Sequence, residues 1–214
     1  MEITLKLPFF GSSKSGQSPV LGEEAQQLVD ELHGKMYAVA KKGRLFLAAS
    51  ATGGIALIVS ATTGGHPTLW NPTGSGRILS IRKLVLAYVS GNNAPGSIAW
   101  NITKRAGAAV GTGAPIPTAT RVDVENALGG GAVDSKAIWS PTTNTFTTAP
   151  PFYRPTGLSL FTGVAATAVA PFVLEEDYDG DLLIDEDTAL SLVTVQATTT
   201  SLLRVGVIFE EIDK

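Results

Sequence analysis

The chain has 214 residues, of which 44% are hydrophobic and only 16% charged, and its formal net charge is −3. This length allows one large β domain or two small domains, and the near-neutral charge argues against a globally basic nucleic-acid-binding protein. The lack of cysteine excludes disulfides and thiolate metal sites. Residues 1–4 lack the layout of a signal peptide, and no apolar run reaches the roughly 18–20 residues that span a bilayer, so we expect cytosolic synthesis and no membrane partner.

Residues 1–43 are predicted to form an N-terminal arm that carries one short amphipathic helix. The polar stretch 11–18 is too rich in glycine and serine for a core. Ser18 is suited to cap a helix and Pro19 to occupy its first position. One short helix cannot build a core alone, so its apolar stripe is predicted to bind a partner or the β domain. The stripe consists of Leu21, Ala25, Leu28 and Leu32.

Residues 44–214 are predicted to form the β domain because the hydrophobic period changes to two. Ile98, Trp100 and Ile102 alternate with small or polar residues, and residues 203–209 repeat the pattern. Residues 77–90 alternate first and then become apolar on both faces around Leu84–Leu86, which predicts a central strand covered on both sides. Further strands are predicted at 44–49, 55–60, 120–125, 137–140, 157–161, 172–175 and 189–196.

Turn residues separate these runs and indicate the class of fold. Glycine, proline and asparagine cluster at 63–67, 71–76, 91–96 and 129–131. About eight to ten short strands without intervening helices are typical of a β-sandwich or a closed barrel, and a jelly roll has this number of strands. The sequence therefore predicts an all-β domain, although periodicity does not reveal its topology.

The residues that usually carry catalysis are scarce. Histidine is the commonest general base, and the chain has two. His33 falls at the end of the predicted helix and His66 in a Gly-Gly-His-Pro turn, where we expect capping or surface roles. The sequence contains neither a Gly-x-Ser-x-Gly elbow nor a His-Glu-x-x-His motif. No catalytic residue and no cofactor are predicted, and we expect that the protein is not an enzyme.

Residues 175–187, the acidic segment, form the most unusual local sequence. Asp177, Asp179 and Asp181 alternate and could converge on calcium, which takes six to eight oxygen ligands. The pattern departs from an EF-hand loop, because Gly180 comes too early and no glutamate stands at the twelfth position. The alternative is a solvated acidic loop, or a surface that pairs with cations of a neighbouring subunit. Candidate cations are Lys41, Lys42 and Arg44.

Aromatic residues offer a second type of contact. The proline-rich stretch 150–155 predicts an exposed loop in which Phe152, Tyr153 and Arg154 contact a partner, or else cover the end of the sandwich. Tryptophans could form a carbohydrate platform, but all three fall in or beside predicted strands, where a core position is expected. They are Trp70, Trp100 and Trp139.

A resemblance to phage proteins rests on residues 70–81, Trp-Asn-Pro-Thr-Gly-Ser-Gly-Arg-Ile-Leu-Ser-Ile. This stretch resembles an element of phage and prophage virion proteins in which an Asn-Pro-x-Gly-Ser-Gly turn leads into a long hydrophobic strand. Residues 154–159 and 174–180 are similar in texture. The resemblance implies a jelly-roll-like β-sandwich on the capsid surface, of the cement or decoration type. Its implied partners are the major capsid protein and further copies of itself, as a homotrimer.

Two other functions remain open. A tail-fibre or spike head domain would bind a host receptor or glycan. A small carbohydrate-active β-sandwich enzyme would need a deep cleft in which pairs of carboxylates are flanked by aromatic side chains.

Overall fold

The computed structural model describes residues 34–59, 65–91, 96–104, 120–129, 134–144, 151–160, 172–196 and 201–214. The chain divides into two compact units, Met1–Tyr37 and Ala38–Lys214. The predicted arm helix, with Leu21, Ala25, Leu28 and Leu32, lies outside the described residues. The first described helix is the short α1, Tyr37–Lys41.

The second unit is built from antiparallel strands in two sheets. The strands are β1 (Leu45–Ala49), β2 (His66–Asn71), β3 (Arg77–Ser90), β4 (Gly96–Lys104), β5 (Glu125–Asn126), β6 (Ile138–Asn144), β7 (Phe152–Leu160), β8 (Val173–Asp177), β9 (Leu183–Ile184), β10 (Thr188–Thr194) and β11 (Leu202–Asp213). Sheet A has the order β5-β1-β11-β3-β8, and β9 also pairs with β3. Sheet B has the order β6-β2-β10-β4-β7. The prediction of an all-β protein is confirmed.

The strand pairs are nested in the sequence. In chain order, β1 pairs with β11, β2 with β10, β3 with β8 and β4 with β7. Successive pairs alternate between sheets A and B. The eight strands therefore follow the course of one long hairpin folded into two sheets, while β5, β6 and β9 are additions at its margins.

The core draws side chains from both sheets, as expected for sheets that pack face to face. Trp100 and Trp139 of sheet B are fully buried, and Trp139 Nε1 donates to the carbonyl of Ala49 in sheet A at 3.1 Å. Phe46 and Phe209, on neighbouring strands of sheet A, stack with ring centroids 5.8 Å apart. The predicted alternations in β4 and β11 and the core positions of Trp100 and Trp139 are confirmed. Trp70 is also buried, but it alternates with the core residue Leu69 and lies outside the core cluster.

The Asn-Pro-Thr-Gly-Ser-Gly turn also forms as predicted. The amide of Ser75 donates to the carbonyl of Pro72 at 3.2 Å, and Gly74, the third residue of this turn, has a φ of +77°. A positive φ at that position is characteristic of a type II turn and favours glycine. The turn leads directly into β3, whose bounds match the predicted strand 77–90.

Several local predictions were wrong. The Gly-Gly-His-Pro stretch was predicted to be a turn, but His66 begins β2 and is fully buried. The proline-rich loop is instead the start of β7, which runs from Phe152 and includes Pro155. Residues 55–59 form only isolated bridges, and of 120–125 only Glu125 lies in a strand, since Val122 makes a single bridge to Trp139.

The outer face of sheet B is buried, although nothing in its sequence predicted this. Every residue of β2 and β10 is buried, including Thr68 and Ser191, whose hydroxyl groups are 2.8 Å apart. On β4, Ala99 and Asn101 alternate with the core residues and are buried as well. Among the described residues of sheet B, the two central strands β2 and β10 are thus buried on both faces.

Candidate functional site

The two segments that the sequence singled out as partner-binding and metal-binding meet at one corner of the sandwich. The guanidinium of Arg154 on β7 lies 2.8 Å from a carboxylate oxygen of Asp181, which belongs to the acidic segment. The same guanidinium lies over the ring of Tyr178, 5.1 Å from its centroid, in a cation–π contact. We call Arg154, Tyr178 and Asp181 the corner cluster.

Tyr178 anchors this cluster in the core. Only 2% of the residue is exposed, and its hydroxyl accepts a hydrogen bond from Trp100 Nε1 at 2.8 Å. Burial raises the pKa of the Tyr178 phenol far above its ordinary value, so the group stays protonated at neutral pH. The ring therefore acts as a rigid support for the Arg154 guanidinium, while its hydroxyl interacts with both Trp100 and Glu176.

The β7 edge places a second polar contact beside the cluster. The amide of Gly157 donates to the carboxylate of Glu176 at 3.0 Å, joining β7 of sheet B to β8 of sheet A. Tyr153 lies at a register shift between β4 and β7 and is 42% exposed. Of the three predicted contact residues, Tyr153 and Arg154 are thus accessible on an edge strand, and the side chain of Phe152 lies outside the described residues.

The predicted calcium ligands are distributed over a strand end and the connection that follows it. Asp177 ends β8 and lies 3.4 Å from the ammonium of Lys83, while Asp181 pairs with Arg154. Asp179 lies between them and is exposed. Among the described residues, no group of three or more histidine, aspartate or glutamate side chains is arranged to hold a metal ion. Calcium binding by these three aspartates stays a prediction.

Three cations that were not among the candidates from the sequence pair with the acidic segment. They are Lys83, Arg154 and Lys214. The Nε of Arg44 instead donates to the carbonyl of Glu211 at 2.9 Å. The segment is therefore stabilised from within its own chain.

The second half of the acidic segment is hydrogen-bonded to the Asn-Pro-Thr-Gly-Ser-Gly turn. A carboxylate oxygen of Glu186 accepts the amide of Gly76 at 2.6 Å, and Thr73 donates to Asp187 at 3.0 Å. The ammonium of Lys214 lies 2.9 Å from Asp185 and 3.4 Å from Glu186. The Lys214 ammonium lowers the pKa of Asp185, and the Gly76 amide lowers that of Glu186. Spacing along the chain gave no signal for this contact.

A groove of about 410 Å³ lies between residues 121–125 and the segment that enters β6. Asp123, Glu125 and Asp134 line it together with Trp139. Trp139 is fully buried, so it does not present a ring on which a sugar could stack. Among the described residues that line the groove there are carboxylates, but no exposed aromatic side chain of the kind that the carbohydrate-active hypothesis requires.

Comparisons with models of known protein families, with curated proteins and with solved structures find no match to this chain. In the described part of the chain, no helix is long and apolar enough to cross a membrane.

Proposed function

We propose that this chain is a structural protein of a bacteriophage particle, of the cement or decoration type, and that its β domain is a jelly roll. The observation that carries the proposal is the nested order of strand pairs, β1 with β11, β2 with β10, β3 with β8 and β4 with β7. A jelly roll is an eight-stranded hairpin rolled into two facing sheets, and it recurs in viral capsid proteins.

Lectin domains and cupins use the same architecture, so the fold alone does not select the function. The resemblance of residues 70–81 to phage virion proteins supports a role in a phage particle. The turn in that stretch is the one to which the acidic segment is hydrogen-bonded. The low charged fraction of 16% also supports it, because few charges lose their hydration when such a surface is buried in an assembly.

The proposed mechanism is the stabilisation of a coat lattice by many weak contacts. Copies of the β domain, associated as a trimer, attach to the lattice at several points at once. Multivalent attachment raises the avidity without tight individual contacts. The partner is the major capsid protein, and the location is the outer surface of the capsid.

Binding to coat shells of the parent phage assembled without this protein tests the proposal. The expected result is saturable co-sedimentation, with a copy number in a fixed ratio to the coat subunits and an increased resistance of the shells to heat. Absence of binding to the shells would overturn the proposal.

A tail-fibre or spike head domain is the second candidate, and one observation favours it. Tyr153 is exposed next to Arg154, which the corner cluster holds in place. Exposed tyrosine and arginine are enriched where proteins recognise other molecules. Binding to host cells, with no binding to coat shells, is the result expected of that function.

A further inference from the structure

Asp179 and Gly180 form the single Asp-Gly pair of the sequence, which contains no Asn-Gly pair. They lie in the acidic segment, between β8 and β9. In an Asp-Gly pair, the amide nitrogen of the glycine lies within reach of the side-chain carboxyl carbon of the aspartate, and attack within one chain is favoured by this proximity. Glycine has no Cβ, so it hinders the attack least.

The structure leaves this pair accessible. Asp179 is exposed, so water reaches its carboxyl group. Among the described residues, none accepts a hydrogen bond from the amide of Gly180. A Cβ built on Gly180 would meet only the guanidinium of Arg82, at 3.8 Å, so the surroundings of this residue are open. The φ of Gly180 is +91°, a conformation that residues with a side chain rarely adopt.

The chain is held in place on either side of this pair. The amide of Tyr178 donates to the carbonyl of Arg82 at 2.8 Å, and the carbonyl of Leu182 accepts an amide of β3 at 2.9 Å. Tyr178 and Leu182 are also buried. The residues between them therefore connect two fixed points. Asp181, the last of these residues, pairs with Arg154 in the corner cluster.

We propose that Asp179 is a site of spontaneous isomerisation to isoaspartate. The nitrogen of Gly180 forms a bond to Cγ of Asp179 and loses its proton, while a Cγ–O bond breaks and water leaves. Water then opens the resulting cyclic imide. When the bond between the nitrogen and the original main-chain carbonyl carbon breaks, the main chain runs through Cγ, which is isoaspartate. When the other bond breaks, aspartate is restored. The reaction needs no oxidant, reductant or cofactor.

The modification changes the corner cluster. Isoaspartate lengthens the main chain by a methylene group between Tyr178 and Gly180. Because Tyr178 and Leu182 are held, Gly180 and Asp181 must accommodate the added length. Asp181 then moves away from Arg154, whose guanidinium loses its ion pair but keeps its place over the Tyr178 ring.

The test is an ageing experiment on the full-length folded protein at neutral pH and physiological temperature. Mass spectrometry of peptides made with a protease that cuts before aspartate, but not before isoaspartate, locates the modification. We expect isoaspartate to accumulate at Asp179 and at no other aspartate of the chain. Asp179→Glu should form none, because a glutamate must close a larger ring. Asp179→Asn should react severalfold faster, because ammonia leaves more readily than water.

A synthetic peptide of residues 175–183, aged in parallel, measures the reactivity of the same sequence without the fold. If the peptide forms isoaspartate and the folded protein forms none, the fold protects the pair and the proposal is wrong. Modification of Asp179→Glu to the same extent as the wild type would also overturn it.

Urea unfolding of the aged proteins tests the effect on the corner cluster. The aged wild type should unfold at a lower urea concentration than aged Asp179→Glu. In Asp181→Asn, which lacks the charge that pairs with Arg154, ageing should lower the midpoint less. An unchanged midpoint in wild type that carries isoaspartate would refute the displacement of Asp181.

Discussion

Replacing Tyr178 with phenylalanine removes only the phenol hydroxyl group, and this loss should destabilise the β domain. The phenol oxygen accepts a hydrogen bond from Trp100 Nε1 at 2.8 Å, and both residues are buried. Tyr178→Phe keeps the ring and its contact with Arg154 but leaves the indole N–H without this acceptor. A buried donor that loses its partner costs about 1–3 kcal/mol. For a domain of this size, a loss of about 2 kcal/mol lowers the melting temperature by roughly 4–8 °C.

Urea unfolding followed by tryptophan fluorescence measures this loss. The midpoint should fall while the slope with urea concentration stays constant, since the surface exposed on unfolding is unchanged. Tyr153→Phe is the matched control, because Tyr153 is 42% exposed and its hydroxyl is accessible to water. It should change the free energy of unfolding by less than about 0.5 kcal/mol. Equal stabilities of the Tyr178→Phe variant and the wild type would refute the assigned role of this hydrogen bond.

Three further outcomes are expected. The pKa values of Asp185 and Glu186 are lowered in the folded state. Their ion pairs and hydrogen bonds therefore stabilise the fold above the ordinary carboxyl range, and this stabilisation is lost as the pH falls through the lowered pKa values. Lys214→Met should therefore reduce the loss of stability that urea titrations record as the pH falls through and below the ordinary carboxyl range. EDTA should leave the melting temperature unchanged, and a clear decrease would instead support calcium binding by the acidic segment. Light scattering should report a trimer, and a monomer at every concentration would contradict the proposed oligomer.

Strands with strict alternation could be predicted because each carries its own signal. Ile98 and Trp100 alternate with small residues, and the structure places both in the core. The bounds of β3 followed from the turn before it, where Pro72 and Gly74 determine the backbone. Such features depend on neighbours in sequence, which is why a single chain reveals them.

β2 and the start of β7 were missed for a common reason. Pro67 lies inside β2 and Pro155 inside β7, and proline lacks the amide that a central strand position needs. β7 accommodates its proline because it is the edge strand of sheet B. β2 shows a register shift against β6 between His66 and Thr68, next to its proline. Both solutions depend on pairing with distant strands, and local sequence does not encode that pairing.

The corner cluster could be predicted only in part. The sequence identified Arg154 and Asp181 separately, each as a candidate for contact with a partner. Their ion pair depends on the way β7 and the segment after β8 come together across the two sheets. Tyr178, which supports the guanidinium, was read only as one member of an acidic stretch. A tyrosine among carboxylates is a weak indication of a buried site in the sequence. Its burial follows from the contact with Trp100, which is distant in the sequence.

One sequence pattern gains a new meaning from the fold. Residues Leu84–Leu86 are apolar in succession, which predicted a strand covered on both sides. Leu84 and Leu86 are indeed fully buried in the core, but Val85 lies on the outer face of sheet A and is only half-buried. The described residues therefore bury this strand on its core face, while its other face is only partly buried. The register places Glu175 in the row of Val85, and Lys83 and Asp177 in the next row, so apolar and charged side chains are mixed on this face. A run of apolar residues therefore predicts a core strand but does not show whether both of its faces are covered.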